Sequence, residues 1–276
     1  MKRRTFIAGL GSAATWPVVA RAQQSTMPVI GYLSGQNAGS YAPPEFHQGL
    51  SQAGYVEGRN VAIEYHWAGV QFSQLPALAE DLVRRQVSVI VAVGFPASVA
   101  AKARTTTIPI VFTVGVDPVR AGLINSLNRP GGNLTGVTSL AQELEEKRLE
   151  MLHEALPAVT SIVALFDPAE PAGGTPVNAI NHELAARALG LQPHILFERD
   201  IDLIAARLTE LRAGALVFGA GGFTRSLRAQ LIALAQSQAL PTIGAGREWA
   251  VNGTLMSYGN VGGEAPRIAG FYTGRV

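Results

Sequence analysis

Asp117 and Asp167 each precede a proline, just beyond the apolar runs Ile110–Val114 and Ile162–Phe166. A carboxylate there sits at the C-terminal end of a strand and can receive an ammonium group. Ligands of open α/β sheets lie at that edge. Other apolar runs also stop on small or polar groups: Ser34-Gly35, Gly94-Phe95, Gly115-Val116, the turn Gly219 to Gly222, and Ser257-Tyr258-Gly259. A helix that follows such a stop points N–H groups at the edge, which suits a carboxylate ligand. Phe95, Phe166, Phe223 and Tyr258 can stack on an apolar or aromatic body. Ser34, Gly35, Gly94, Phe95, Asp117, Asp167, Gly219, Gly221 and Tyr258 therefore form the candidate ligand-binding set.

Reactive constellations are missing from the pattern. A phosphate-binding Walker loop needs Gly-Lys-Ser/Thr, and none of Lys2, Lys102 and Lys147 stands in one. Gly219-Ala220-Gly221-Gly222-Phe223-Thr224 follows a strand, but its sixth position is Thr, so it is a weak dinucleotide fingerprint. The five histidines (His47, His66, His153, His182 and His194) have no metal-ligand spacing and read as solvated helix or strand-edge residues. No Gly-x-Ser-x-Gly elbow follows the leader described below. Glu143, Glu145, Glu146, Glu150 and Glu154 read as a solvated face near a helix N-terminus. No catalytic residue, metal or cofactor is expected.

The elements that must position the candidate set alternate between strands and helices. Strands are expected at Val29–Leu33, Val61–Tyr65, Val87–Val93 and Ile110–Val114, with another running on from Leu134. Helices are expected at Pro44–Ala53, at Ala97–Arg104, and from a Ser73 cap to Arg85. A short helical segment and a Gly-rich turn, Pro130–Asn133, fill the gap after Asp117. A second series follows: helix Ala141–Leu156, strand Ile162–Phe166, helix Val177–Leu189, strand Gln192–Phe197, helix Ile201–Leu211, strand Ala215–Phe218, helix Thr224–Gln238, then strands Pro241–Ile243 and Leu255–Ser257. The fold class is α/β: two Rossmann-like lobes, each a parallel sheet covered by helices, joined by a hinge. The first lobe is expected to comprise residues 27–138 plus 260–276 and the second 139–259. Crossings fall near Val137–Leu140 and Met256–Gly259.

Met1-Lys2-Arg3-Arg4, the apolar run to Val19 and Ala20-Arg21-Ala22 have the layout of a secretory signal peptide over residues 1–22. The arginine pair also suits the twin-arginine route, and both routes remain open. The whole chain of 276 residues has a formal charge of +2. The leader carries four cations and no acid, which leaves −2 for the rest. A nucleic-acid footprint is therefore not supported. With no cysteine there is neither a disulfide nor a lipid-anchor site. After the leader no apolar run reaches about 20 residues, so no stable membrane insertion is expected. The periplasm is the expected location.

Four segments carry a family resemblance: Gly49 to Val61 (GLSQAGYVEGRNV), Leu78 to Val83, Ile108 to Gly136, and Leu255 to Gly259. The chain resembles the ABC-transporter substrate-binding proteins of the tryptophan/tyrosine-binding type, which have the type I periplasmic-binding fold. The resemblance implies a small-molecule ligand held between two lobes and delivered to a membrane permease without chemistry, and it sets Ser34, Asp117 and Tyr258 on motif positions near the cleft. Relatives often place an Asp where this chain has Gly-Ala-Gly-Gly after Phe218, and a small polar residue at Phe95. They usually continue past the equivalent of Val276, so the C-terminus reads as truncated and the first lobe is expected to lack a sheet edge. The expected function is capture of an amino acid or other small carboxylate for import. The alternatives are an exported α/β enzyme acting on a small metabolite and a truncated, non-functional relative.

Overall fold

Val89-Ile90-Val91-Ala92-Val93 is apolar at every position and almost wholly buried. Only a strand covered on both faces reads that way. In the computed structural model it lies at the centre of a five-stranded parallel sheet. Described are residues 27–37, 43–69, 71–140, 144–166, 175–219, 222–259 and 263–276.

The first half runs β1 (Val29–Ser34), α1 (Pro44–Gln52), β2 (Ala62–Trp67), α2 (Leu75–Arg84), β3 (Val89–Val93), α3 (Phe95–Arg104), β4 (Ile110–Val114) and β5 (Leu134–Thr138). Its sheet has the order β2-β1-β3-β4-β5. The second half runs α4 (Glu145–Ala155), β6 (Ser161–Leu165), α5 (Thr175–Ala188), β7 (Gln192–Leu196), α6 (Ile201–Glu210), β8 (Ala215–Phe218), α7 (Gly222–Ser226), α8 (Arg228–Ser237), β9 (Thr242–Gly244), α9 (Arg247–Val251) and β10 (Met256–Ser257). Its order is β10-β9-β8-β6-β7, again parallel. Each sheet separates two apolar layers: Leu33, Leu82, Ile90 and Phe112 against Tyr32, Phe46, Val91 and Val111 in one, Leu165, Leu216 and Phe218 against Ile162, Val217 and Ile243 in the other.

The last helix, α10 (Glu264–Thr273), follows the second sheet in sequence but packs on the first, against α1. Two glycines make the approach close. A Cβ at Gly49 would lie 1.8 Å from the Arg267 carbonyl oxygen, and one at Gly270 would lie 2.0 Å from that of Phe46. The chain thus passes between the lobes after β5 and again before α10.

Several expected bounds moved. The helix expected from Ala141 is described from Glu145, with 141–143 outside the described residues. The helix expected over Thr224–Gln238 is broken at Leu227 into α7 and α8. Ser73 caps nothing; it lies in a 3-10 turn ahead of α2. The segment after Asp117 is a run of turns, because Gly122 takes φ +70° and Lys102 Nζ donates to the Gly122 and Leu123 carbonyls (3.0 and 2.9 Å) in place of helical bonds.

Alanine favours a helix over glycine by about 1 kcal/mol, so Gly49→Ala or Gly270→Ala would stabilise a helix with room to spare. Here each meets backbone oxygen, and a loss of about 2–3 kcal/mol is expected in urea unfolding. A gain in stability would show that α1 and α10 do not meet this closely.

Candidate functional site

The C-terminal edges of the two sheets face each other across a cavity of about 600 Å³. From the first lobe come the strand ends Gly35, Gly94-Phe95, Gly115-Val116 and Thr138-Ser139. From the second come Gly219, Arg225, Ala245-Gly246 and Glu248, and the first turn of α10 closes one side. Gly94 turns the chain from β3 straight into α3 at φ +91°, which an L side chain rarely adopts. Its N–H donates to the Thr113 carbonyl (2.8 Å), and its carbonyl accepts from Ser98 N–H (3.1 Å) and Ser98 Oγ (2.8 Å). Pro96 has no N–H, so the N–H groups of Phe95 and Ala97 are the first-turn donors of α3 at the cavity wall.

Two side chains from opposite lobes give the cavity its polar character. Tyr32, on β1, has its ring buried against Phe46 (centroids 5.4 Å), Tyr65 (5.5 Å) and Trp67 (5.5 Å). Burial pushes its hydroxyl well above the usual phenol range, and the Arg225 charge offsets only part of that rise. It is therefore a hydroxyl donor throughout the physiological range. Arg225, on α7, is reached by solvent but crowded by protein on all sides. The water that reaches it is the water of the cleft. Lost hydration lowers its pKa first; Glu248 raises it and Arg228 lowers it further. Its guanidinium remains a cation at neutral pH.

Below the second lobe's wall lies a buried polar cluster. A Cβ on Gly219 would come within 3.2 Å of Glu145 Oε1. Arg148, fully buried, lies 3.5 Å from that same oxygen and donates from Nη1 to the Tyr258 carbonyl (3.2 Å). Arg148 thus ties α4, just past the first crossing, to the segment leading into the second. His182 is 2% exposed, edge-on to Phe166 at 5.9 Å, with Nδ1 4.0 Å from Glu145 Oε2. Burial, then the Arg148 charge, lowers its pKa to about 4, so it is neutral and forms no ion pair at that distance. Two expectations are corrected here. His182 is not a solvated edge residue, because its helix packs on β7 and α4 and its ring lies against Phe166 and faces Glu145. Glu145 is not on a solvated face, because Arg148 draws it inward.

The cavity brings Gly35, Gly94, Phe95 and Gly219 together. Ser34 is fully buried behind Gly35, its Oγ accepting from Gln36 N–H (3.2 Å). Asp117 does not line the cavity; its Oδ1 accepts from Val119 and Arg120 N–H (2.8 and 3.1 Å) and closes the turn after β4. Tyr258 lies outside the lining, its N–H donating to the Gly244 carbonyl (3.0 Å). Asp167 and Gly221 lie outside the described residues. Of the expected stacking rings, Phe223 is buried in the second lobe's core and Phe166 packs on His182 and Phe197. Tyr32 and Arg225 escaped the sequence reading. Tyr32 looks like any strand interior. Arg225 sits in the last turn of the short helix α7, where a cation is ordinary, so it carried no local signal.

Two parallel sheets with one cleft at their C-terminal edges define a two-lobed α/β binding protein of the type I periplasmic architecture. Residues 41–272 match the model of the ABC transporter substrate binding protein family, and the chain belongs to that family. Over 125 residues it is 31% identical to a tyrosine-binding protein of Clostridioides difficile strain R20291, an alignment covering 45% of this chain and 36% of that protein. A conserved domain protein from Vibrio cholerae O1 biovar El Tor superposes with a TM-score of 0.74 at 25% identity, and the ABC domain in complex with L-Trp from Streptococcus pneumonia with 0.71 at 21%. Each match covers 91% of this chain and 83% of the other. Among the described residues no helix is long and apolar enough to cross a membrane.

His182 sets an acid limit on stability. Above pH 6.5 the imidazole is neutral in folded and unfolded chains alike. Between 6.5 and about 4 only the unfolded chain takes up the proton, so stability falls with pH; below about 4 the loss levels off. The loss from this group is roughly 3 kcal/mol. His182→Gln is expected to flatten the stability profile between pH 7 and 4.5 in urea titrations. An unchanged slope would place the acid sensitivity elsewhere.

Proposed function

We propose that this protein is the exported solute-binding component of an ABC importer, and that it captures a small ligand between its lobes and presents it to a membrane permease. The observation that carries this reading is the cavity between two sheets' strand ends, walled among the described residues by backbone groups, rings and one cationic side chain, Arg225. Such a site holds a molecule through contacts from both lobes. Contacts made to both walls at once favour the closed arrangement, and that differential binding is all that closure requires. The basic leader with its Ala-Arg-Ala site supports export to the periplasm by the Sec or twin-arginine route.

The ligand class that suits the walls is a small carboxylate, amino acids included. The C. difficile relative is a tyrosine-binding protein and the S. pneumonia domain was solved with L-Trp, so aromatic amino acids are the first molecules to try. An enzymatic role has less support. Serine, histidine and carboxylate groups are not grouped as nucleophile and base on the described cavity wall; Ser139 and Glu248 lie on different lobes.

Purified mature protein should rise in Tm by several degrees with at least one member of a panel of amino acids and small organic acids at 100-fold excess over Kd, the ligand being recovered chemically unchanged. Turnover of the stabilising compound would favour the enzyme reading, and a panel without any stabilisation would count against binding.

A further inference from the structure

Three charged side chains line the described part of the cavity: Arg225, Glu248 and Glu264. Both acids have partners. Glu264 takes two contacts from Arg267 (Nη2 2.6 Å, Nε 3.2 Å), and Glu248 faces Arg228 Nη1 at 4.0 Å. Arg225 has no hydrogen bond and no carboxylate within ion-pair distance among the described residues. Across the cleft, the Tyr32 hydroxyl also has no hydrogen-bond partner among them, and it feels the Arg225 charge. Two unfilled donor groups, one from each lobe, therefore share a recess whose other walls include Val93, Phe95, Val116 and Ile268. A cation stripped of part of its water and left unpaired is unfavourable unless an anion completes it.

We propose that Arg225 and Tyr32 form a clamp across the two lobes for the acid group of an organic carboxylate, with the apolar body of that ligand against the wall formed by Phe95 and Val116. The pair specifies the ligand: it rewards a carboxylate and leaves two donors unfilled when the carboxylate is an amide. It also couples recognition to closure, because Tyr32 belongs to β1 of one lobe and Arg225 to α7 of the other, and separating the lobes breaks the bridge. The α3 first turn, on the same wall as Phe95, adds its positive potential to that of the guanidinium.

The clamp rests on the reading of the cleft as a ligand site, and the test separates the two. Matched acids and amides serve as probes: phenylacetate with phenylacetamide, indole-3-propionate with its amide, and L-tryptophan with L-tryptophanamide. On wild type the acids are expected to bind at least 10-fold more tightly than the amides by calorimetry. Arg225→Gln should weaken the acids by about 10- to 100-fold and leave the amides little changed, Arg225→Lys should recover part of the loss, and Tyr32→Phe should weaken the acids by a smaller factor. Without any probe, Arg225→Gln should melt at or above the wild-type temperature, because it removes a cation that has no carboxylate within ion-pair distance among the described residues; a merely structural arginine would melt lower when replaced. Acids and amides binding alike, or an acid preference that survives Arg225→Gln, would overturn the clamp while leaving ligand binding intact. Failure of every probe on wild type would overturn both. Mass spectrometry of the small molecule carried through native purification gives a second check: a molecule with an acid group is expected, and a neutral or purely cationic one would end the proposal.

Discussion

The contact between α1 and α10 at Gly49 and Gly270 is the constraint on which the rest of the molecule depends. Without it, the lobes would hang from a single passage after β5 and their strand edges would have no fixed relation. Helix α10 returns the chain to the first lobe and seats it where backbone meets backbone, so two passages join the lobes. Two passages leave few ways to move other than opening and closing, which is what a ligand held between two walls requires. The same helix brings its first turn to the cavity, so one docking event sets both the hinge and part of the site.

Parallel pairing does the second part of the work. Every strand of a parallel sheet ends on the same edge, and the helices that follow start there with N–H groups to spare. Each lobe therefore offers its cleft face the same chemistry, donors and small residues, before any particular side chain is considered. What distinguishes this chain is what is added to those faces: an aromatic nest with Tyr32 in the first lobe, and Arg225 in the second. Behind the second face, Glu145, Arg148 and His182 link the wall at Gly219 to the passage beside Tyr258.

Much of the architecture was legible in the residues. The unbroken run Val89–Val93 announced a doubly covered strand, the strand-end glycines marked the cleft edge, and the change from β5 to a Glu-rich helix marked the first crossing. Gly94 was readable as the end of a strand, although the helix after it opens at Phe95 rather than at the expected Ala97. What the residues did not show shares one cause. Asp117 and Tyr258 stand beside the strand ends in sequence, but neither is on the described cavity wall, and the Asp117 carboxylate is taken up by the N–H groups of Val119 and Arg120. His182 and Glu145 look like surface residues on polar helices, and only packing against Phe166 and Arg148 puts them inside.

The sequence by itself determined the class of structure and the strand edge that lines the cavity, because periodicity, strand-end glycines and helix starts are local properties of a few neighbouring residues. Which side chains occupy that edge was decided by the tertiary structure. Tyr32 and Arg225 are 193 positions apart in the chain, and their convergence depends on two sheets facing each other across a doubly crossed hinge. No local pattern records a relation between surfaces that meet only after both lobes have folded.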